Sequence, residues 1–364
     1  MGKIESLVFY LILYASSAFC LSLSKKGRGN KKIDIWFIIA VMIPVLIAAL
    51  RDNVGTDFEN YSWMYKNQIE LSFSQWFNYH GKFVDGTPFG IWAISQIAKI
   101  FDSQEVFFGL AAFLILIPVL LFIKNELPRN SCFLNAFLFL TGTFTTGFNM
   151  IKQGIAIAFI IYGLRYVFER KFFKFLLFVA VAYLFHPSAI VAIFIYYFRG
   201  NGDGKFSIKR FFLIALAVVF LFSITTILER VGGRFASYVE YNGAEEFNNR
   251  TFYLELFWCF LFFLFSKKFS NLDSKNDTLI ILFLVGLILS FSGFFSPAIK
   301  RIARYYTLSN PMLLSQFPLL FSQKEKPIIN LLIFTYAIAV FTISFYYLEH
   351  ADIIPYNFIT RSVI

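Results

Sequence analysis

The sequence predicts an all-α polytopic membrane protein with about 12 transmembrane helices, within a range of about 10–13. Three observations lead there. Of 364 residues, 58% are hydrophobic and only 15% are charged, with mean hydropathy +0.65; a soluble domain carries about 25% charged residues. The apolar runs are continuous, with no dyad alternation, which suits helices and not a membrane barrel. Basic clusters recur between the runs, as cytoplasmic loops do.

Against a span of about 20 residues, the runs fall at 7–24, 33–50, 104–123, 132–148, 151–168, 174–198, 211–228, 251–266, 278–296, 304–321 and 328–347. The first could be misread as a signal peptide, since Ser17-Ala18-Phe19-Cys20 hints at a lipoprotein cleavage site. Phe19 is too bulky for that and many spans follow, so an uncleaved first helix is expected. The loop 25–32 holds five positive charges in eight residues and is expected to be cytoplasmic. The N-terminus and the stretch after Leu50 then lie outside. The run 88–101 is short, carries Gln96 and Lys99, and is expected as an interfacial helix that does not cross.

Arg170, Lys171, Lys174, Arg199, Lys205, Lys209, Arg210, Lys267, Lys268, Lys275, Lys324 and Lys326 all belong inside by the same rule. They are all satisfied if 174–198 crosses twice, as a short hairpin broken at His186-Pro187-Ser188. Proline costs a helix interior about 3 kcal/mol, which places the break there. One tilted helix would instead put the positives of 199–210 outside. The expectation is a single domain over 1–364, with a large external loop at 51–103 and a second at 229–250. Residues 59–80 mix Tyr61, Trp63, Tyr65, Phe73, Trp76, Phe77 and Tyr79 with polar residues, as an interfacial amphipathic segment does.

The net charge of +11 is explained first by the basic loops, with the excess available to an anionic substrate or lipid. No nucleic-acid-binding module is present. Cys20, Cys132 and Cys259 stand apart in apolar segments, without metal spacing or a disulfide framework. There is no zinc motif and no Ser-His-Asp signature, and no cofactor is expected; no metal is needed if arginines supply the charge, the alternative being a divalent ion on an acidic pair from Asp52, Asp57 and Glu59, which are close in sequence. Gly200-Asn201-Gly202-Asp203-Gly204-Lys205 lacks the strand and spacing of a phosphate loop and reads as a linker.

Topology gathers one set of charged residues at the outer face. Arg51 opens a polar stretch, Arg51 to Tyr61, in which Gly55 allows a positive-φ turn and Asp57 follows. The competing reading of Arg51 is a snorkelling helix-end arginine. Lys152 and Gln153 open an apolar helix. A lysine there opposes the helix dipole, so an anion beside the first N–H groups explains it, against simple snorkelling. His186 is an ionisable group in a membrane hairpin and a functional candidate, against a histidine bonded to a nearby carbonyl. Lys300 and Arg304 (i,i+4) and Arg301 and Arg304 (i,i+3) share a helix face. Three positives on the outer face break the positive-inside trend, which points to an anionic ligand. Arginines clamp phosphate oxygens, and Tyr305 and Tyr306 could stack on sugar rings.

Three blocks in order resemble the EpsG-like polysaccharide polymerases, part of the broader Wzy type of O-antigen and capsule polymerases. The first is Arg51 to Tyr61 with its Gly-Thr-Asp. The second runs from Lys152-Gln153-Gly154-Ile155-Ala156 through Arg170-Lys171 to Phe185-His186-Pro187-Ser188-Ala189. The third is Arg301 to Tyr306, with Pro355-Tyr356-Asn357-Phe358. Lys152 departs from the arginine expected there: it keeps the charge and loses the bidentate fork. The resemblance implies a glycosyltransferase of the bacterial inner membrane, working at the periplasmic or external face. A glycan on undecaprenyl diphosphate would be the donor and a lipid-linked repeat unit the acceptor. The bilayer is then a partner, and a chain-length regulator is a further partner the resemblance allows. The implied catalytic set is His186, Asp57, Arg301 and Arg304, with His186 and Asp57 competing as base and His186 preferred. Arg51, Lys152, Gln153, Lys300, Tyr305 and Tyr306 would bind pyrophosphate or sugar. Rival readings are an O-antigen ligase, which differs in acceptor, and a lipid-linked oligosaccharide flippase or other transporter, which calls for an internal repeat that is not visible.

Overall fold

The helical character follows from the continuous apolar runs, because a helix satisfies its backbone within one segment. A computed structural model describes residues 1–25, 34–80, 87–200, 249–292 and 297–359, with Val219 and Ser223. Among these the secondary structure is helical, apart from one isolated antiparallel bridge between Arg51 and Phe358. The basic residues of 26–32, Lys205, Lys209 and Arg210 lie outside the described residues, as does almost all of the run 211–228 and of the loop 229–250.

The N-terminal half builds a bundle around one central helix. Helices α1 (Lys3–Leu23) and α2 (Ile35–Ala49) pack together. At their shared end Asp34 caps α2, accepting from the Phe37 N–H at 3.2 Å. The same carboxylate takes the Ser24 hydroxyl and the Lys124 ammonium, each at 2.6 Å. Lys124 belongs to α6 (Gln104–Glu126), which lies against α2 on one side and α8 (Ile151–Phe168) on the other. Between them α7 (Cys132–Phe139) continues as a π-helical stretch, Leu140–Phe144, and a 3-10 turn, Gly147–Asn149.

Three short helices fill the expected outer loop: α3 (Phe58–Ile69), α4 (Phe73–His80) and α5 (Phe89–Lys99). Helix α5 has 11 residues, about 16 Å of rise, too short to cross a core of about 30 Å. Its polar residues serve α3 instead. Gln96 donates to the Gln68 carbonyl at 2.7 Å and Lys99 to the Ile69 carbonyl at 2.6 Å, where the last carbonyls of α3 lack helical partners.

The break expected at His186 is present. Helix α9 (Phe172–Tyr183) ends there, and a 3-10 helix, Pro187–Phe198, packs back against it. The α leg rises about 18 Å and the 3-10 leg about 24 Å, so neither has the length of an ordinary span. His186 itself is extended (φ −150°, ψ 118°), with Pro187 opening the second leg.

The C-terminal part comprises α10 (Asn249–Leu264), α11 (Ser266–Leu272), α12 (Lys275–Ser292), α13 (Pro297–Thr307), α14 (Asn310–Gln316) and α15 (Lys326–Phe341), the last running into a π-helical stretch, Thr342–Tyr347. Five described helices are long and apolar enough to cross a membrane: Lys3–Leu23, Gln104–Glu126, Arg129–Asn149, Ile151–Phe168 and Lys326–Tyr347. Ile35–Ala49, Phe172–Tyr183, Pro187–Phe198 and Phe252–Leu264 are apolar but shorter. The described helices do not add up to the expected twelve crossings. One reason is local: the run 304–321 is divided among α13, α14 and a 3-10 turn, Phe317–Leu320, with Pro311 and Pro318 near the breaks.

Candidate active site

The opening polar stretch is knitted into the fold by its backbone. The Asp52 N–H donates to the Asn357 carbonyl at 2.9 Å, the Gly55 N–H to Asp352 at 2.8 Å, and the Ile359 N–H returns to Leu50 at 3.0 Å. Gly55 has φ +98°, and a Cβ there would lie 2.3 Å from Asn149 Oδ1. Both the left-handed turn and the close approach require glycine. Asn149 bridges the two sides: its Oδ1 accepts from the Asp57 N–H at 3.4 Å and its Nδ2 donates to the Ala351 carbonyl at 2.8 Å.

Arg51 is enclosed rather than presented. It is 1% exposed, and its guanidinium carbon lies 4.3, 4.7 and 5.7 Å from the ring centroids of Phe148, Phe108 and Phe58. Nη1 donates to the Val54 carbonyl and Nη2 to the Phe148 carbonyl, both at 3.3 Å, while Nε has no hydrogen-bond partner. Burial lowers its pKa to about 10, so it is a cation at neutral pH. In this arrangement its charge holds the loop against α6 and the turn before α8. It is not set out towards a ligand.

Tyr61 is 3% exposed and stands one helical turn after Asp57 in α3. Burial, and then the nearby Asp57 charge, raise the Tyr61 pKa and keep it neutral.

The side chains that do converge come from α8, the hairpin turn and α13. Lys152, His186, Arg301 and Arg304 are each half-buried. The charges of Lys152, Arg301 and Arg304 all act on the His186 ring. Gln153, 3% exposed, donates from Nε2 to the Arg301 carbonyl at 2.7 Å, joining α8 to α13. The Arg304 guanidinium lies against Met150 Sδ, just before α8. The hairpin turn is located by α5: the Gly90 N–H donates to the Leu184 carbonyl at 2.8 Å, and Phe185 stacks on Phe159 of α8 with centroids 6.0 Å apart.

The remaining candidates are placed differently. The Lys300 charge acts on Glu255 of α10, a side-chain neighbour that the sequence reading did not single out. Tyr305 and Tyr306 are fully buried, so their faces are covered by protein and not open to sugar rings. The Tyr306 hydroxyl donates to the Val191 carbonyl at 2.7 Å, tying α13 to the second hairpin leg. The Tyr305 hydroxyl lies 3.2 Å from Ser188 Oγ. Asp57 is half-buried one helical turn before Tyr61. Among the described residues no group of three His, Cys, Asp or Glu is placed to hold a metal ion.

A sequence model of the EpsG family matches residues 34–358, nearly the whole chain. The chain belongs to the EpsG family. EpsG-like proteins are a Wzy-type polymerase family, and membership carries a polysaccharide polymerase-type function in a membrane setting. The match takes in every converging residue and the tail that meets Arg51. No curated protein and no solved structure matches the chain.

Proposed function

We propose that this EpsG-family protein polymerises lipid-linked oligosaccharide repeat units, transferring the growing glycan from undecaprenyl diphosphate to a lipid-linked acceptor unit at the external face of the bacterial inner membrane. One observation carries the reading: α13, which bears Arg301 and Arg304, meets the His186 turn through Tyr305 and Ser188, and the charges of Lys152, Arg301 and Arg304 all act on that histidine. A diphosphate-linked donor fits such a set. In the reaction an acceptor sugar hydroxyl attacks C1 of the donor sugar. The new C1–O bond forms as the C1–O bond to phosphate breaks, and its electron pair leaves on the lipid diphosphate.

Arg301 and Arg304, with Lys152 beside them, stabilise the charge gathering on the departing diphosphate. Lys152 serves as a point charge, since it has no fork to offer. His186 takes the proton of the attacking hydroxyl as general base. Asp57 is the competing base, and its place beside Tyr61 also suits it to orient a sugar hydroxyl. The diphosphate is a good leaving group without protonation, so no general acid is needed.

The test is a glycan ladder from cells carrying Arg301→Ala or Arg304→Ala in place of the wild-type chain. Each variant is expected to lose long polymer while protein abundance stays normal, leaving core plus a single repeat. Polymer of wild-type length from both variants would remove the diphosphate clamp. Bare core with polymer retained on its lipid would mark a ligase instead, and no external polymer at all would mark a flippase.

A further inference from the structure

His186 is the end of a chain of side chains. Its Nδ1 lies 2.7 Å from Ser188 Oγ, and that oxygen lies 3.2 Å from the Tyr305 hydroxyl. One helical turn before Tyr305 on α13, the Arg301 carbonyl accepts from Gln153 Nε2 at 2.7 Å. Tyr305 is 0% exposed and Gln153 3%, while His186 and Ser188 are half-buried. A backbone carbonyl only accepts, which fixes the end of the Gln153 amide that faces Arg301 and so joins α8 to α13.

We propose that Ser188 and Tyr305 are positioning residues. Ser188 occupies Nδ1 of His186, Tyr305 holds Ser188 in place, and Nε2 is the ring nitrogen presented to the acceptor hydroxyl. The proposal rests on the polymerase reading with His186 as base. A neutral imidazole acting as a base at Nε2 carries its hydrogen on Nδ1, and that N–H needs an acceptor. The Ser188 oxygen supplies it, and its own hydrogen is then directed to Tyr305. When Nε2 takes the substrate proton the ring becomes a cation with both nitrogens protonated, and the Nδ1–H to Ser188 bond is kept. No atom of the chain is consumed.

Helix α13 carries both parts: Arg301 contributes its guanidinium to the cation set, and Tyr305 on the same helix meets Ser188.

The test uses the full-length protein in lipid nanodiscs, with lipid-linked repeat unit extracted from cells that lack the polymerase. Ser188→Ala is expected to lower kcat about 10-fold, a fraction of the effect of losing a general base, with KM for the lipid-linked unit changed less than about twofold. Ser188→Thr, which keeps the hydroxyl, restores most of the rate. Tyr305→Phe lowers kcat about threefold, and the double variant is no slower than Ser188→Ala, since the chain is already cut. A substrate-free readout runs alongside. The chain has three histidines, so His80→Gln with His350→Gln leaves one imidazole whose ring ¹⁵N shifts report the Nδ1 environment. Ser188→Ala is expected to move those shifts.

Wild-type kcat in Ser188→Ala, a change in KM alone, or strictly multiplicative losses in the double variant each overturn the positioning proposal while leaving polymerisation intact. Unmoved ¹⁵N shifts also overturn it, whatever the activity. Wild-type protein that makes no polymer from this unit overturns the functional reading and the proposal with it. Should Ser188→Ala fail to fold, Tyr305→Phe, which removes one oxygen atom, carries the same comparison.

Discussion

Arg51 offers the sharpest contrast between a charge that serves the fold and one that serves a substrate, and Arg51→Ala separates the two. The side chain makes two hydrogen bonds to carbonyls at 3.3 Å. These are long, so each contributes about 1 kcal/mol, and their loss strands two buried carbonyls. Three phenyl faces at 4.3, 4.7 and 5.7 Å add about 2 kcal/mol together. Against this stands relief from burying a cation whose Nε is unpaired, roughly 1 kcal/mol. The net loss is about 3 kcal/mol, or a fall in melting temperature of roughly 4 °C for a chain of this length. Melting of the detergent-solubilised full-length protein, followed by tryptophan fluorescence, measures it. Arg51→Lys should fall between, because an ammonium keeps the charge but does not reach both carbonyls. Protein that survives at low temperature should still polymerise. An Arg51→Ala protein that melts like the wild type yet makes no polymer would refute the reasoning and return Arg51 to the substrate.

Two further outcomes follow from other contacts. A Cβ at Gly90 would lie 2.4 Å from the Phe185 ring, which is itself stacked on Phe159, so Gly90→Ala should cost about 2 kcal/mol in the same melting assay; an unchanged melting temperature would mean the ring swings aside freely. Asp34 carries a pH signature. Burial alone would raise its pKa, but hydrogen bonds from Lys124, Ser24 and the Phe37 N–H outweigh burial and bring it down to about 2. A folded pKa below the unfolded value of about 3.9 gives stability that is present above pH 4 and lost as pH falls towards 2. The difference in stability between wild type and Asp34→Asn should therefore be about 2 kcal/mol at pH 6 and shrink below pH 4; a difference independent of pH would exclude the ion pair as its source.

What the sequence made legible was mostly where the chain is helical and where a helix stops. Hydropathy and loop charge reached the break at His186, the short helix Phe89–Lys99 and the three charges that act on the histidine. It was weaker on helix length, because a span ruler assumes an unbroken α-helix. Pro311, Pro318, a 3-10 leg and two π-helical stretches alter rise per residue in ways hydropathy does not register. It was weakest on the direction a side chain takes. The charges around Arg51 suggested chemistry, yet the partners of that loop are Asn149 and the backbone of residues 351–359, contacts no local pattern announces. Adjacent residues of α13 diverge in the same way: Arg301 acts on His186 while Lys300 acts on Glu255. Neighbours in a helix sit about 100° apart, so a basic cluster counted as one clamp in sequence becomes two different environments once the helix is docked. The tyrosines after Arg304 complete the argument. Read as sugar-stacking faces, they are buried, with their hydroxyls at Ser188 and Val191 of the hairpin and the Tyr306 ring against Phe198. Docking α13 against the hairpin therefore fixes both where the arginines stand and which way the histidine turns, so the site depends on a helix–hairpin contact as much as on any single charged residue.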